Sequence, residues 1–219
     1  LKQVRGFFLP DDETHLVPFL ENGPEFAGGP TYQLHKLMAA MPYVRNFRHA
    51  VDVGAHCGLW SRPLSVMFRH VTAFEPIEQH RECFSYNVRE CTPHPHASVR
   101  MCPYALGDRD GVVSLHTGEN SSGDTYIVPH GEHVAAMKTL DSFGLVDVDL
   151  LKIDCEGFEV FSVQGGAQTI RKYRPAMIVE QKPGHGKKYG ISDTAAVELL
   201  QSWGATVRQV ISGDFILSW

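Results

Sequence analysis

The sequence predicts an α/β fold: a doubly wound, mostly parallel seven-stranded sheet with helices on both faces and an antiparallel edge strand. Three observations predict it. From residue 50 onward, short runs rich in Val, Ile and Leu alternate with helix-length segments, and repeated β–α units need right-handed crossovers and a sheet covered on both faces. Residues 51–58, Val-Asp-Val-Gly-Ala-His-Cys-Gly, read as a buried strand end, a glycine turn and then a helix opening at Leu59-Trp60-Ser61-Arg62-Pro63. About twenty residues on, the run Val71-Thr72-Ala73-Phe74 ends in Glu75-Pro76, the spacing at which open α/β sheets place a carboxylate on a ribose.

Residues 1–30 contain Pro10, Pro18, Pro24 and Pro30 together with several glycines, and are expected to form an irregular lead segment before a single domain spanning 31–219. Leu34, Leu37, Met38 and Met41 recur at helical spacing and stop at Pro42, which is core packing on an amphipathic helix. Strands are expected at 50–53, 71–74, 98–101, 149–153, 176–180, 205–210 and 214–218, and helices near 60–68, 77–90, 157–172 and 192–203. Only Ser212-Gly213 separates the last two strands, so they form a hairpin and bring an antiparallel strand to one edge. Residues 117–133 read as one long polar loop. Loops of that length inside a compact domain are either lids or mobile surface, and both readings stay open.

The formal charge of −5 exerts no general pull toward nucleic acid or anionic membrane. The apolar runs are too short to span a bilayer, and Lys2 and Arg5 precede only Gly6-Phe7-Phe8-Leu9, too little for a signal peptide. Cys57, Cys83, Cys91, Cys102 and Cys155 are odd in number and never in C-x-x-C spacing. That usage fits free thiols in a reducing compartment, the cytoplasm, rather than a disulfide framework or zinc site. His94-Pro95-His96 sits in a proline-broken stretch and reads as a solvated turn before it reads as a metal site. The chain opens on Leu1 rather than a methionine, which leaves room for residues upstream.

Ligands of doubly wound sheets lie beyond the carboxyl ends of the strands. Those ends are Asp52 with Gly54 to Gly58, then Glu75, the turn Tyr104-Ala105-Leu106-Gly107-Asp108, Asp154 with Glu156, and Glu180 with Gln181. Buried carboxylates are costly unless paired or bound. A rim of them fits a ligand with positive groups and hydroxyls. The turn is G-x-x-x-G and lacks the amide cluster that a pyrophosphate needs, which favours S-adenosylmethionine over NAD.

The motifs VDVGAHCG, FEP, ALGD, KTLDSF, LLKIDCEGFE and RPAMIVE occur in the order and spacing of FkbM-family S-adenosylmethionine-dependent methyltransferases. The resemblance runs from about residue 30 to residue 182, and the K-I-D-x-E-G-x-E element is its most specific part. The chain departs from the family at His56-Cys57, commonly Asn and an aliphatic residue there, and at Cys155 and Phe158. The resemblance implies that Glu75, followed by Pro76, accepts both ribose hydroxyls, rather than serving only as a helix N-terminal acid. It implies that Gly54, Ala55, His56, Cys57 and Gly58 admit the methionine portion, with Asp52 reaching the amino group directly or through water. Ala105, Leu106 and Asp108 then border adenine, and Asp154 lies beside the transferring methyl unless it merely caps the following helix.

For an alcohol acceptor the candidate bases are Glu156, His185 and Asp154, with Glu180 on the same rim. His185 is otherwise a surface-loop histidine. Asp154, Glu180 and Gln181 are similar to the divalent-metal ligands of catechol-type O-methyltransferases, a set of oxygen donors that suits Mg²⁺. Those enzymes carry a lysine where this chain has Gly157, so the expectation is metal-independent catalysis. The leading expectation is O-methylation of a hydroxyl on a sugar or secondary metabolite. A nucleic-acid methyltransferase and a non-catalytic cofactor-binding domain are the alternatives. The acceptor and the oligomeric state have no readable code.

Overall fold

The computed structural model describes residues 1–26, 28–89, 98–118 and 121–219; the His94-Pro95-His96 stretch lies outside them. The lead segment is more ordered than expected. It holds a hairpin of β1 (Lys2–Val4) and β2 (Phe7–Leu9), helix α1 (Val17–Asn22), and a second small hairpin of β3 (Glu25–Phe26) and β4 (Gly29–Pro30). Pro10 and Pro24 lie between these elements, while Pro18 sits in the first turn of α1 and Pro30 in β4, so none of them abolishes an element. Helix α2 (Leu34–Ala40) follows.

The seven strands of the main sheet are β5 (His49–Val53), β6 (His70–Phe74), β7 (Ser98–Cys102), β12 (Val148–Ile153), β13 (Ala176–Glu180), β14 (Thr206–Ile211) and β15 (Asp214–Ser218). Their spatial order is β14-β15-β13-β12-β5-β6-β7, as predicted in number and within a residue or two in extent. Strand β15 runs antiparallel to both of its neighbours. Ser212 and Gly213 both have positive φ, the backbone of the tight hairpin turn that joins β14 to β15. The antiparallel strand is therefore one place in from the edge, with β14 outside it. Order reverses between β5 and β12, so a crevice opens above their carboxyl ends.

Side chains along each strand alternate between two cores. Val51, Val53, Leu151, Ile153, Met177 and Val179 pack in one, beside α5 (Glu159–Gly165), α6 (Ala167–Tyr173) and α7 (Ala195–Ser202). Ala50, Leu150, Ile178 and Ile216 face the other, under α2, α3 (Ser61–Met67) and the β1–β2 hairpin. Helix α4 (Glu78–Arg89) follows β6. The expected helix 157–172 is split at Gly165-Gly166, where an added side chain would press on the Gly107 carbonyl and on Leu140.

One layer is absent from the sequence reading. Strands β8 (Ala105–Leu106), β9 (Gly111–Thr117), β10 (Thr125–Val128) and β11 (His133–Lys138) form a second sheet in the order β10-β9-β11-β8. The polar stretch 117–133 is thus not one loop, because β10 lies inside it and pairs with β9. No helix among the described residues is long and apolar enough to cross a membrane.

Candidate functional site

A cavity opens over the β5–β12 crevice. Its floor includes Gly54, Ala55, His56, Glu75, Asp154 and Glu156. Its roof and sides come from the second sheet and lead segment, including Ser122, Asp124, Tyr126, Ile127, Tyr32 and Leu16. Gly54 has φ +75° and sits against the Asp154 carbonyl, into which a Cβ would be driven. The two strand ends can meet there only through glycine. Gly58 and Cys57 turn away from the cavity, with Gly58 against Val88 and Phe84 of α4. Their contribution is to the packing under the turn.

Glu75 lines the cavity and is almost fully buried. Its Oε2 accepts the His56 N–H at 2.9 Å. Its Oε1 accepts the Ile77 N–H at 2.8 Å and lies 3.3 Å from His80 Nδ1. An ionised carboxylate has about four acceptor positions, so these contacts fix its orientation and leave a direction free toward the cavity. Pro76 lies beside it on the wall. Ala105 and Leu106 line the adjoining side with Tyr104 and Leu115. Asp108 does not reach the cavity and pairs with Arg109 at 3.1 Å near the surface.

Strand parity assembles the ionic part. Asp52, Lys152, Asp154, Glu180 and Asp214 all fall on the even-numbered face. Lys152, unassigned from the sequence, is 2% exposed, with Nζ 3.2 Å from Asp154 Oδ2 and 3.8 Å from Asp52 Oδ1. It also lies over the Trp60 ring. Burial works against its charge, but Asp154 and Asp52 outweigh it and raise its pKa. Burial would likewise raise Asp154, yet Lys152, with a hydrogen bond from Glu180, lowers it to about 2. Asp52 is off the cavity wall. Its Oδ2 accepts the Ser61 hydroxyl at 2.7 Å, and its Oδ1 is buried without a hydrogen-bond partner. Lys36 of α2 forms a buried ion pair with Asp214.

Glu156 and Glu180 are different. Burial, then the Asp154 charge, pushes Glu156 up to about 8 and Glu180 to about 10. Lys182 Nζ lies 2.8 Å from Glu180 and 3.8 Å from Glu156. Glu156 holds a left-handed backbone, φ +53°, which is uncommon outside glycine. The next residue, Gly157, lets the His185 carbonyl pass where a Cβ would stand 2.6 Å from it. That approach brings His185 Nδ1 to 3.1 Å from Glu156 Oε2. His185 stands behind Glu156 rather than on the wall. Burial and the Lys188 and Lys182 charges lower its pKa, so it is neutral at pH 7.

Gln181 departs from its expected place. It follows Glu180 directly, so it points to the opposite face, where its amide donates to Glu159 at 3.2 Å and its oxygen accepts the Ala196 N–H at 3.0 Å. It cannot join Asp154 and Glu180 around one cation. Among the described residues, the ligand atoms close enough for that are those of Glu156, Glu180 and His185, within 4.8 Å of one another, and the Lys182 ammonium already lies against the two carboxyls.

The raised carboxyls predict a pH effect. Folded Glu156 and Glu180 keep protons that their unfolded counterparts release near pH 4.5, so their stabilising contribution is lost as pH rises toward 8 and beyond. The lowered histidines His49, His56 and His185 act oppositely, but only below their ordinary 6.5. Between pH 6.5 and 8 the ligand-free protein should lose thermal stability, by at most about 1.4 kcal/mol per pH unit for each such group. Differential scanning calorimetry of Glu180→Gln should show a shallower fall; an unchanged slope would assign the effect elsewhere.

Comparison with known proteins settles the family. Residues 52–207 match the FkbM methyltransferase domain. The chain belongs to the FkbM methyltransferase family. Similar solved structures include the FkbM methyltransferase of Methylobacillus flagellatus, 17% identical with a TM-score of 0.55 over 78% of this chain and 42% of that one. This chain therefore spans less than half the length of that protein. A provisionally named caffeoyl-CoA O-methyltransferase of Staphylococcus aureus is 14% identical, TM-score 0.54, over 93% and 89% of the two chains. A provisionally named methyltransferase of Streptococcus mutans, solved with SAH, is 10% identical, TM-score 0.50, over 84% and 94%. At these identities the structures share the fold. A search of curated proteins gave no match.

Proposed function

We propose that this FkbM-family methyltransferase transfers a methyl group from S-adenosylmethionine to a hydroxyl of a small acceptor, a sugar or secondary metabolite, in the cytoplasm. The cofactor's chemistry fits the residues present. Glu75 is oriented by three protein donors with acceptor capacity left, and Asp154, Glu156 and Glu180 add carboxyls to the cavity wall that suit a ligand bearing positive groups and hydroxyls. When bound, the sulfonium supplies an activated methyl and a neutral leaving group. Placement of the two reactants can then supply about 7–11 kcal/mol of the barrier reduction.

The observation that carries O-methylation is the Glu156–His185 pair. Glu156 lines the cavity and has a pKa of about 8, which suits a base working near neutral pH. In this reading Glu156 takes the hydroxyl proton while His185 orients its carboxylate. Lys182 keeps the ionised form in place, and Asp154 remains charged beside the reacting centre. The negative formal charge and acidic cavity favour a small acceptor over nucleic acid.

The test is SAH release from S-adenosylmethionine with a panel of sugars, phenols and polyketide-type alcohols, and with RNA as a separate arm. Turnover should appear with a hydroxylated small molecule and increase as pH rises through about 8. Glu156→Gln should lower kcat by about 10²-fold or more and abolish that pH dependence. Methylation of RNA alone, or of a nitrogen nucleophile alone, would overturn the proposal.

A further inference from the structure

Ser122, in the cavity roof, is held from two sides. Its N–H and hydroxyl both donate to Oε2 of Glu13, at 2.6 and 2.5 Å. Its hydroxyl lies 2.8 Å from Nε2 of His56 in the glycine turn. Since the single hydroxyl proton is directed to Glu13, the Ser122 oxygen accepts from His56, which fixes the imidazole as the Nε2–H tautomer. Burial, then His80, lowers the His56 pKa well below its ordinary value, consistent with that neutral ring. The backbone N–H of the same His56 donates to Glu75.

The other oxygen of Glu13 accepts the Leu16 N–H at 2.7 Å, just before α1, and Leu16 itself lines the cavity. Glu13 is 1% exposed and Ser122 5%. Glu13 lies 109 residues from Ser122 and outside the family-matched region. The lead segment, the roof and the cofactor turn are thus joined by one chain of hydrogen bonds: Glu13, Ser122, His56, Glu75, buried at the Glu13–Ser122 end and half-buried at His56.

We propose that Glu13 is a positioning residue for the cofactor: through Ser122 and His56 it latches the roof at residues 121–127 onto the glycine turn and sets the rate at which the cofactor leaves. This rests on the cofactor site proposed above. A carboxylate accepting two short bonds from one residue is a strong local tie, because charge-assisted bonds exceed neutral ones. Because Ser121 to Ile127 line the cavity, opening that tie would widen the way out for a ligand beneath them. His56 carries the constraint onward, because displacing its ring also displaces the N–H that orients Glu75.

The experiment is stopped-flow dissociation of SAH, read through tryptophan fluorescence, since Trp60 lines the cavity. Wild type, Glu13→Gln, Ser122→Ala and Ser122→Thr are compared. Glu13→Gln and Ser122→Ala should accelerate release at least tenfold. Ser122→Thr, which keeps the hydroxyl, should stay within about threefold of wild type. For Glu13→Gln, whose side chain is off the cavity wall, kcat at saturating cofactor should change little while KM for S-adenosylmethionine rises, a split that general destabilisation would not produce. Hydrogen exchange at residues 121–127 in the SAH complex gives a second reading, with protection lost in both weakening variants. Unchanged release and exchange in both would overturn the latch while leaving the cofactor site intact. A wild-type protein that fails to bind SAH would overturn the site reading itself, and the latch with it.

Discussion

Asp154→Asn will retain the fold and lower kcat/KM by about 10²-fold or more, the range expected when one partner of a buried charge pair is removed. Asp154 is the ionised carboxylate through which the buried Lys152 meets the cavity. Lys182 offsets the protonatable pair Glu156 and Glu180. Removing the Asp154 charge leaves Lys152 with Asp52 alone, at 3.8 Å, and turns the local field against a cationic cofactor. It also withdraws one of the charges that raise Glu180 and Glu156, so the pH profile should move to lower values.

Part of the loss comes from stranding an ammonium group, and a second variant separates this from chemistry. Lys152→Met with Asp154→Asn removes both partners, which is far milder for stability than removing one. Calorimetry should show Tm recovering in the double variant while turnover stays low. Turnover recovering together with Tm would reduce Asp154 to a structural counter-ion of Lys152.

The strand ends were readable because an open α/β sheet directs its ligands to one rim, so Asp52, Glu75, Asp154 and Glu180 follow once the strands are placed. Parity was the overlooked signal. Lys152 stands two residues before Asp154 in the fully buried strand β12, on the same face, and a charge in that position needs partners. The same rule separates Gln181 from Glu180. Glu156 and His185 were readable as separate candidates, but their contact depends on the backbone at Gly157. The second sheet was hidden because β9, β10 and β11 are half-exposed and lack a continuous buried run, and because a polar run precedes β10. Glu13 had no local signal, because its partner is brought to it only by the folding of the lead segment over the cavity.

Glu75→Ala should weaken S-adenosylmethionine binding by about 1.5–3 kcal/mol, roughly 10- to 10²-fold, if the one ribose hydrogen bond to this charged acceptor is lost. The structure adds a complication. Glu75 also accepts from the backbone of His56 and Ile77, so truncation strands buried donors and loosens the glycine turn. Affinity alone would confuse that loosening with loss of the ribose contact. A thermodynamic cycle with 2′-deoxy-SAH resolves the two effects. Wild type should bind the deoxy compound at least tenfold more weakly than SAH, whereas Glu75→Ala should barely distinguish them. The isothermal titrations should therefore show the two losses overlapping rather than adding. If the variant discriminates against the missing hydroxyl as strongly as wild type, Glu75 holds the turn and not the ribose, and another group on the cavity wall reads the diol.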